Sequence, residues 1–506
     1  MRSGPSSGGR AAVFAPLPAG RRADAVVRRL SEGIRLGLLV PDEQLPSESD
    51  LADSFGVSAV TVREALTALR GQGLVITRRG RNGGSFVRDV PGGASAVLRE
   101  RLREVSPSEL RDLADHYVAL SGTSALLAAD RAGKQDIALI ADGVAALERA
   151  VDADARRRAE SRFHVELAAA AQSPRLTRAV IGMQAEVGPL LWLSAGTHAA
   201  QQDVLGKLRD VLAAVAAGDG PRARAVAGAH VYAALARASA LQLTLLGEDP
   251  GGRVVTEPVG RLVDRVSRLC ESTFAAVDGL RGVAEQLFLR ASDGEPLRRA
   301  DIEQIATVVR PVLEAEGTPL VGAGLVLAPG ALADAEHWME WWHRGPGGDA
   351  GVRRLRPVLD PAVENFYDYT VLPWFVIPRE TGARHVTGPY VDRLCTEEYT
   401  LTFTVPLHVS HPGRGREYLG VVGADIVNSW LERRLLPLLH RVGQPAALVN
   451  AEGRVVVANE PSLVAGAVTH STDVPALWSG RTGEGAVLHR LDGLPLGILV
   501  LDPGGR

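Results

Sequence analysis

Residues 44–89 read QLPSESDLADSFGVSAVTVREALTALRGQGLVITRRGRNGGSFVRD, and this stretch decides the fold of the N-terminal region. Ser47, with Asp50 three positions later, has the pattern of a helix N-cap and its acidic partner, and Gly56 is placed to end that short helix. Ser58 is placed to cap a second helix, in which apolar residues recur at i, i+3, i+4 and i+7 and form one inward face. Two helices joined by a Gly-containing turn predict a helix-turn-helix.

Two β-rich runs follow the second helix and flank a group of basic residues. The runs LVIT at 74–77 and SFV at 85–87 enclose RRGRNGG at 78–84, which predicts a β-hairpin with a basic tip. The second helix of such a unit can lie in the DNA major groove, while an arginine-rich hairpin can follow the neighbouring backbone or minor groove. We therefore expect DNA contacts from Ser47, Ser58, Thr61, Arg63, Arg79, Arg81, Asn82 and Gly83. The alternative is a small helical module whose hairpin is merely solvated.

A family resemblance supports the DNA-binding interpretation. The residues LPSESDLADSFGVSAVTVREALTALRGQGLV and GRNGGSFV, between 45 and 87, resemble the winged-helix domain of the GntR family of bacterial regulators. The resemblance implies binding to a palindromic double-stranded DNA operator as a homodimer, because two half-sites match a two-fold symmetric protein. Ser49 and Ala59 stand where FadR-type members of this family often carry DNA-contacting arginines.

Length and composition limit the class of protein. A chain of 506 residues is long enough for about three domains. The net charge is −3, so basicity is local to the hairpin. The two cysteines, Cys270 and Cys395, argue against a disulfide framework and favour a cytoplasmic location. No apolar run reaches about 18 residues, so no membrane contact is expected.

The middle of the chain is rich in Ala, Leu, Arg and Glu, and its periodicity predicts six or seven helices in an all-α bundle. The runs ESRFHVELAAAAQSPRL at 160–176 and AAGDGPRARAVAGAH at 216–230 resemble the FCD effector domain of FadR-like regulators. That family often holds a divalent metal through an Asp-x3-His pair and two further His. Glu160, His164 and His230 occupy three of these positions, and Leu208 occupies the fourth. Two hypotheses stay open: a divalent metal with at most three protein ligands, or a metal-free relic site.

Beyond a Gly/Pro linker, a long amphipathic helix leads into β-rich runs, which predicts an α+β domain. The residues FYDYTVLPWFVIPRETGARHVTGPYVDRLCTEEYTLTFTVPLHV at 366–409 and LGVVGADI at 419–426 resemble the ligand lobe of a Cache domain, a PAS-like sensor module. The resemblance implies ligand contacts from Tyr367, Trp374, Tyr390 and Asp425. Leu372 stands where amino-acid-binding members carry a carboxylate-binding Arg, and Phe375 replaces a second Tyr.

These replacements indicate the chemistry of the ligand. A carboxylate beside aromatic rings suits a cation, whereas the loss of the Arg removes bidentate carboxylate recognition. We therefore expect a small-molecule effector that is an amine or amino-acid-like. The alternative is that the aromatic residues form core and Asp425 caps a strand end. The run HWMEWWH at 337–343 is expected to pack in the core rather than to form a lid or a dimer contact.

Together these patterns predict a multidomain, ligand-responsive transcriptional regulator that is not an enzyme. No nucleophile motif, Walker loop or GxGxxG is present. The alternatives are a cytosolic sensor that acts through protein partners and, less favoured, a metal-dependent enzyme on the bundle. The expected organisation is a flexible tail at 1–20, a winged helix-turn-helix at 21–90, a linker at 91–105, an FCD-like bundle at 106–246, a linker at 247–257 and a Cache-like sensor at 258–506.

Overall fold

The computed structural model divides the chain into two compact units. One unit comprises Met1–Val105 and Glu109–Leu245, and the other comprises Ser106–Ser108 and Leu246–Arg506. The structure describes residues 8–14, 22–78, 80, 83–88, 95–247, 257–291, 297–345, 351–411, 415–460, 463–470, 472–481 and 485–502.

The first unit begins with a winged helix. Its elements are α1 (Gly8–Val13), α2 (Arg22–Arg35), α3 (Glu48–Phe55), α4 (Ala59–Gly71), β1 (Val75–Arg78) and β2 (Gly84–Val87). The predicted caps of α3 are confirmed: Ser47 Oγ accepts from the Asp50 amide, and Gly56 ends the helix at φ 65°. The hairpin is also confirmed, because β1 and β2 pair antiparallel from Val75↔Val87 to Arg78↔Gly84.

The N-terminal segment differs from the prediction of a flexible tail at 1–20. Residues Gly8–Val13 form α1, in which Val13 is fully buried. The Phe14 ring lies 6.2 Å from the Phe55 ring of α3, measured between centroids. Gly and Pro content favoured a tail, but burial of the apolar residues Val13 and Phe14 outweighs that local preference. Residues 1–7 and 15–21 lie outside the described part of the chain.

The same unit continues as a helical bundle, and the predicted all-α class is confirmed over residues 95–247, where every regular element is a helix. The helices are α5 (Ser95–Glu104), α6 (Pro107–Arg131), α7 (Lys134–Arg149), α8 (Ala153–Ala170), α9 (Pro174–Glu186), α10 (Gly188–Leu193), α11 (His198–Ala216) and α12 (Gly220–Gly247). Helices α9 and α10 are separate, because Pro189 has no backbone N–H with which to continue α9.

The second unit is built on a six-stranded antiparallel sheet, with strand order β5-β4-β3-β8-β7-β6. Its elements are α13 (Val259–Ala291), α14 (Arg299–Ile302), α15 (Ala306–Glu314), β3 (Leu320–Leu327), β4 (Trp338–Arg344), β5 (Val352–Arg354), α16 (Pro373–Thr381), β6 (His385–Val391), β7 (Tyr399–His411) and β8 (Gly415–Val427). All but the first residue of the aromatic run at 337–343 lie in strand β4, and Met339 and Trp341 are buried.

A smaller antiparallel sheet completes this unit, with strand order β10-β9-β12-β11. The elements are α17 (Asn428–His440), β9 (Ala446–Asn450), β10 (Val455–Ala458), α18 (Val474–Trp478), β11 (Ala486–Arg490) and β12 (Leu496–Leu501). Strands β9 and β10 pair antiparallel as a hairpin, and the α+β class is confirmed. Among the described helices, none is both long and apolar enough to span a bilayer.

Candidate functional site

The N-terminal half of α4 presents three of the predicted DNA-contacting residues. Ser58 and Arg63 are exposed and Thr61 is half-buried, while the opposite face of the helix packs into the core. Ser58 Oγ accepts a hydrogen bond from the Thr61 amide at 3.2 Å and lies 2.8 Å from the Thr61 hydroxyl. The remaining amides at this helix start suit a phosphate oxygen.

Arg63 has a partner that the sequence analysis missed. Its Nε donates to Glu48 Oε2 of α3 at 3.1 Å, and the two side chains are 64% and 41% exposed. The pairing crosses the turn between α3 and α4, so no local pattern indicates it. An exposed ion pair contributes at most about 1 kcal/mol. A phosphate or a base edge can therefore displace Glu48 from the guanidinium. Ser47, also predicted, is tied to Asp50, because its hydroxyl donates to Asp50 Oδ2 at 2.7 Å.

The wing is held to the segment that precedes α3. Gln44 Nε2 donates to the carbonyl oxygen of Gly83 at 3.0 Å, and Arg78 Nη2 donates to Asp42 Oδ1 at 2.6 Å. Gly84 has a φ of +150°, which favours glycine, and a Cβ there would lie 2.7 Å from Gln44 Nε2, so the Gln44 amide would have to move. Three further predicted contacts lie outside the described residues: Arg79, Arg81 and Asn82.

The bundle brings the three predicted metal ligands together. His230 Nε2 lies 3.0 Å and His164 Nε2 4.0 Å from Glu160 Oε1. The two imidazole rings stack with 5.2 Å between centroids. All three candidate ligand atoms lie within 4.8 Å of one another. Leu208, at the fourth position that the resemblance assigns to a ligand, is fully buried on α11.

The donor set of this cluster fits a divalent ion with three protein ligands. Among the described residues, neither ring nitrogen of His164 has a hydrogen-bond partner, and neither does His230 Nδ1. Burial, and then the neighbouring His230, hold the pKa of His164 well below its usual value, so the imidazole is neutral, as metal binding requires. The two hypotheses from the sequence, metal site or relic, both remain predictions.

The second unit contains a cavity that opens to solvent and is lined by all four predicted ligand residues; its empty space, including the open mouth, is about 360 Å³. Asp425 comes from β8, Tyr390 from β6, Trp374 from α16, and Tyr367 from the segment before α16. The other lining residues are Val326, Met339, Trp341, Leu355, Asp392, Leu394, Cys395 and Thr402. Tyr367, Trp374 and Tyr390 also pack in the apolar cluster that contains Leu372, so these rings serve as core and as cavity wall.

A chain of hydroxyl groups leads to the buried carboxylate of Asp425. Thr402 Oγ1 donates a hydrogen bond to Asp425 Oδ1 at 2.6 Å. The Tyr390 hydroxyl lies 2.6 Å from Thr402 Oγ1 and is therefore placed to donate to Thr402 Oγ1. Only 4% of Asp425 is exposed. Burial raises the pKa of Asp425 to about 7, the bond from Thr402 opposes that rise, and the nearby Asp392 adds to it.

Thr402 and Asp392 were missed by the sequence analysis. Thr402 lies directly opposite Asp425 in the β7–β8 pairing, and local sequence does not encode that register. Asp392 is 8% exposed and follows β6. Its Oδ1 accepts from the amides of Leu394 and Cys395 at 3.0 and 3.3 Å. An Asp side chain that accepts a hydrogen bond from the backbone amide two residues later forms an Asx-turn. Such a turn can be recognised in a sequence, but it does not indicate a ligand site.

Comparison with known proteins identifies two segments of the chain. Residues 22–87 match the family described as "Bacterial regulatory proteins, gntR family", and residues 112–233 match the FCD domain. The HTH-type transcriptional regulator RmpR of Mycobacterium gastri is 44% identical over 180 residues, which are 36% of this chain and 66% of RmpR. The chain therefore spans just under two thirds of that relative.

Two further similarities each cover part of the chain. The HTH-type transcriptional regulator LutR of Bacillus subtilis (strain 168) is 30% identical over 216 residues, which cover 39% of this chain and 92% of LutR. A solved structure of methyl-accepting chemotaxis protein X is 17% identical, with a TM-score of 0.32, and the match covers 48% of this chain and 98% of that chain.

Proposed function

Because this chain belongs to the gntR family of bacterial regulatory proteins, we propose that it binds a palindromic operator as a homodimer and responds to a small-molecule effector in its second unit. The chain is a GntR-type transcriptional regulator with an FCD domain. The observation that carries the proposal for DNA is the start of α4, where the N-cap Ser58 and Arg63 are exposed and Thr61 is half-buried. We propose domain limits near 21–90 for the winged helix and near 106–246 for the bundle, of which residues 106–108 and 246 belong to the second unit and the rest to the first.

Recognition of DNA would use α4 and the wing together. The N-terminal half of α4 offers a capped helix start to a phosphate and the guanidinium of Arg63 to a phosphate or a base edge. The wing is anchored through the bond from Gln44 to Gly83, so β2 is held to the segment that precedes α3. A homodimer places two such heads on two half-sites that are related by two-fold symmetry.

The effector would occupy the cavity around Asp425. A buried carboxylate with aromatic walls stabilises a cation by ion pairing and cation–π contact, and none of the described lining residues is basic. The proposed effector is therefore an amine. Its binding would change operator affinity if the amine has different affinities for the DNA-competent and DNA-incompetent conformations.

The test of DNA recognition is fluorescence anisotropy of full-length protein with DNA from upstream of its own gene, across a series of salt concentrations. Phosphate-dominated binding weakens steeply as salt rises. We expect Arg63→Ala to weaken binding by roughly 5- to 150-fold, the equivalent of about 1–3 kcal/mol. Arg222→Ala is the matched control, because Arg222 is an exposed arginine at the start of α12.

Two outcomes would count against the proposal. Binding that does not change with salt would favour the alternative of a sensor acting through protein partners. Equal losses of DNA affinity in the Arg63→Ala and Arg222→Ala variants would show that α4 does not contact DNA. Sedimentation with and without DNA measures whether the 53.5 kDa chain binds as a dimer.

A further inference from the structure

The cavity that holds Asp425 contains a second acidic residue. Asp392 and Asp425 both line it, and no Arg, Lys or His is among the described lining residues. Asp392 is 8% exposed and Asp425 is 4% exposed, so bulk water screens neither carboxylate well. The cavity is thus an acidic, poorly solvated space with two carboxylates rather than one.

The surrounding groups respond to both carboxylates. Burial first, and then Asp392 and Asp425 together, raise the pKa of Tyr367 and of Cys395. Burial and the same two carboxylates also raise the pKa of Tyr390. Three lining groups on separate parts of the wall therefore lie within electrostatic reach of both acids. A single ammonium group would neutralise only one of the two charges.

The Asp392 carboxylate can accept hydrogen bonds from a ligand in addition to those from its own loop. Its Oδ1 accepts from the amides of Leu394 and Cys395, and Oδ2 has a long contact of 3.4 Å from the Thr396 hydroxyl. The Cys395 thiol also hydrogen-bonds to the Asp392 side chain. A carboxylate oxygen has two lone pairs, so Oδ2 can accept a strong bond from an ammonium group. The amides of Leu394 and Cys395 hold the carboxylate in place before a ligand arrives.

We infer that the effector carries two cationic nitrogens, as a short linear diamine does, and that Asp392 is the residue that distinguishes a diamine from a monoamine. This inference rests on the proposed amine-binding role of the cavity. One ammonium group pairs with Asp425 beneath the rings of Tyr367, Trp374 and Tyr390, and the other pairs with Asp392. A free carboxylate on the ligand meets two acids and no basic partner, so such a ligand is rejected.

The test is isothermal titration calorimetry on the full chain with three probes of similar length: 1,4-diaminobutane, butylamine and 4-aminobutanoate. We expect the diamine to bind at least about tenfold more tightly than butylamine, since one hydrogen bond to a charged group contributes about 1.5–3 kcal/mol. We expect 4-aminobutanoate to bind most weakly, because its carboxylate repels both acids.

The discriminating variant is Asp392→Asn, which removes the charge while the amide oxygen can still accept from Leu394 and Cys395. It is expected to lower diamine affinity to that of butylamine and to change butylamine affinity by less than about threefold. The matched control is Asp360→Asn. Asp360 is an exposed acid of the same unit, and its Oδ1 likewise accepts from a backbone amide two residues on, that of Ala362.

The outcomes separate this inference from the proposed function. Equal affinity of the wild type for diamine and butylamine overturns the requirement for two charges and leaves the amine role standing. If no amine binds and 4-aminobutanoate does, the proposed amine effector is itself wrong. An Asp392→Asn protein that keeps its full preference for the diamine removes Asp392 from recognition, and circular dichroism of this variant confirms that it is folded.

Discussion

Asp425 lies on β8 with almost no exposure, and the pKa of its carboxyl is raised to about 7, first by burial. Without a ligand, the Asp425 carboxyl is therefore partly protonated and partly ionised near neutral pH. A cation inside the cavity favours the carboxylate, because an opposite charge nearby lowers the pKa of an acid. Ligand binding and deprotonation of Asp425 are thus coupled.

The coupling predicts how amine affinity depends on pH. Below pH 7 each bound amine must displace a proton from Asp425, so affinity should rise by up to about tenfold per pH unit and level off above about pH 8. The groups that face Asp425 are Asp392, Tyr367, Tyr390 and Cys395. The two phenols and the thiol have raised pKa values and stay neutral over this range.

Calorimetry from pH 6 to 8.5, in buffers of different ionisation enthalpy, measures both the affinity and the proton released. The expected result is release of up to one proton per ligand below pH 7 and almost none at pH 8.5. An affinity that is constant over this range would show that Asp425 is not the counter-ion. The Asp425→Asn variant, which has no charge to lose, should show only residual binding without this pH dependence.

At the scale of elements, α1 is the part of the first unit that local sequence describes least well. A Cβ at Gly9 would lie 2.7 Å from Val165 Cγ1 of α8, and a Cβ at Gly33 of α2 would lie 3.0 Å from Val13 Cγ1. Arg29 Nη1 of α2 also donates to the Ala12 carbonyl oxygen at 2.7 Å. The helix α1 therefore packs between α2 of the winged helix and α8 of the bundle.

This packing predicts a stability effect far from the proposed sites. Val13→Ala removes two buried methyl groups and should destabilise the first unit by roughly 1–3 kcal/mol. Differential scanning calorimetry of the full chain measures the shift in the transition of that unit. Val151→Ala is the matched control, because Val151 is 87% exposed. A similar shift in both variants would show that α1 contributes no packing energy.

At the scale of the whole molecule, the proposed DNA contacts belong to one compact unit and the proposed effector cavity to the other. Regulation then requires a coupling free energy between the two sites, and that coupling is reciprocal. An effector that changes operator affinity by a given factor must have its own affinity changed by operator DNA by the same factor.

Reciprocity supplies a quantitative test. Operator affinity measured with and without saturating 1,4-diaminobutane should differ by about 5- to 150-fold. The diamine affinity measured with and without operator should differ by the same factor. The diamine should not alter operator affinity in the Asp425→Asn variant at equal concentration. A diamine that binds tightly but leaves operator affinity unchanged would mean that this cavity is not the switch.

The sequence alone was sufficient for those parts of the structure that depend on near neighbours. The caps Ser47 and Ser58, the end of α3 at Gly56, and the wing strands all follow from interactions over a few residues. The four cavity residues were expected from a family resemblance, and the fold brings them to one cavity.

Tertiary structure alone decided the contacts that join distant parts of the chain. The Thr402–Asp425 bond depends on the register between β7 and β8, and the Arg63–Glu48 pair depends on how two helices cross. The helix α1 depends on the apolar surface that α2 and α8 present to Val13 and Gly9. Helix caps and periodicity depend on residues a few positions apart, so the sequence is enough to predict them. Burial, strand register and raised pKa values depend on remote segments that pack together and exclude water, so only the tertiary structure determines them.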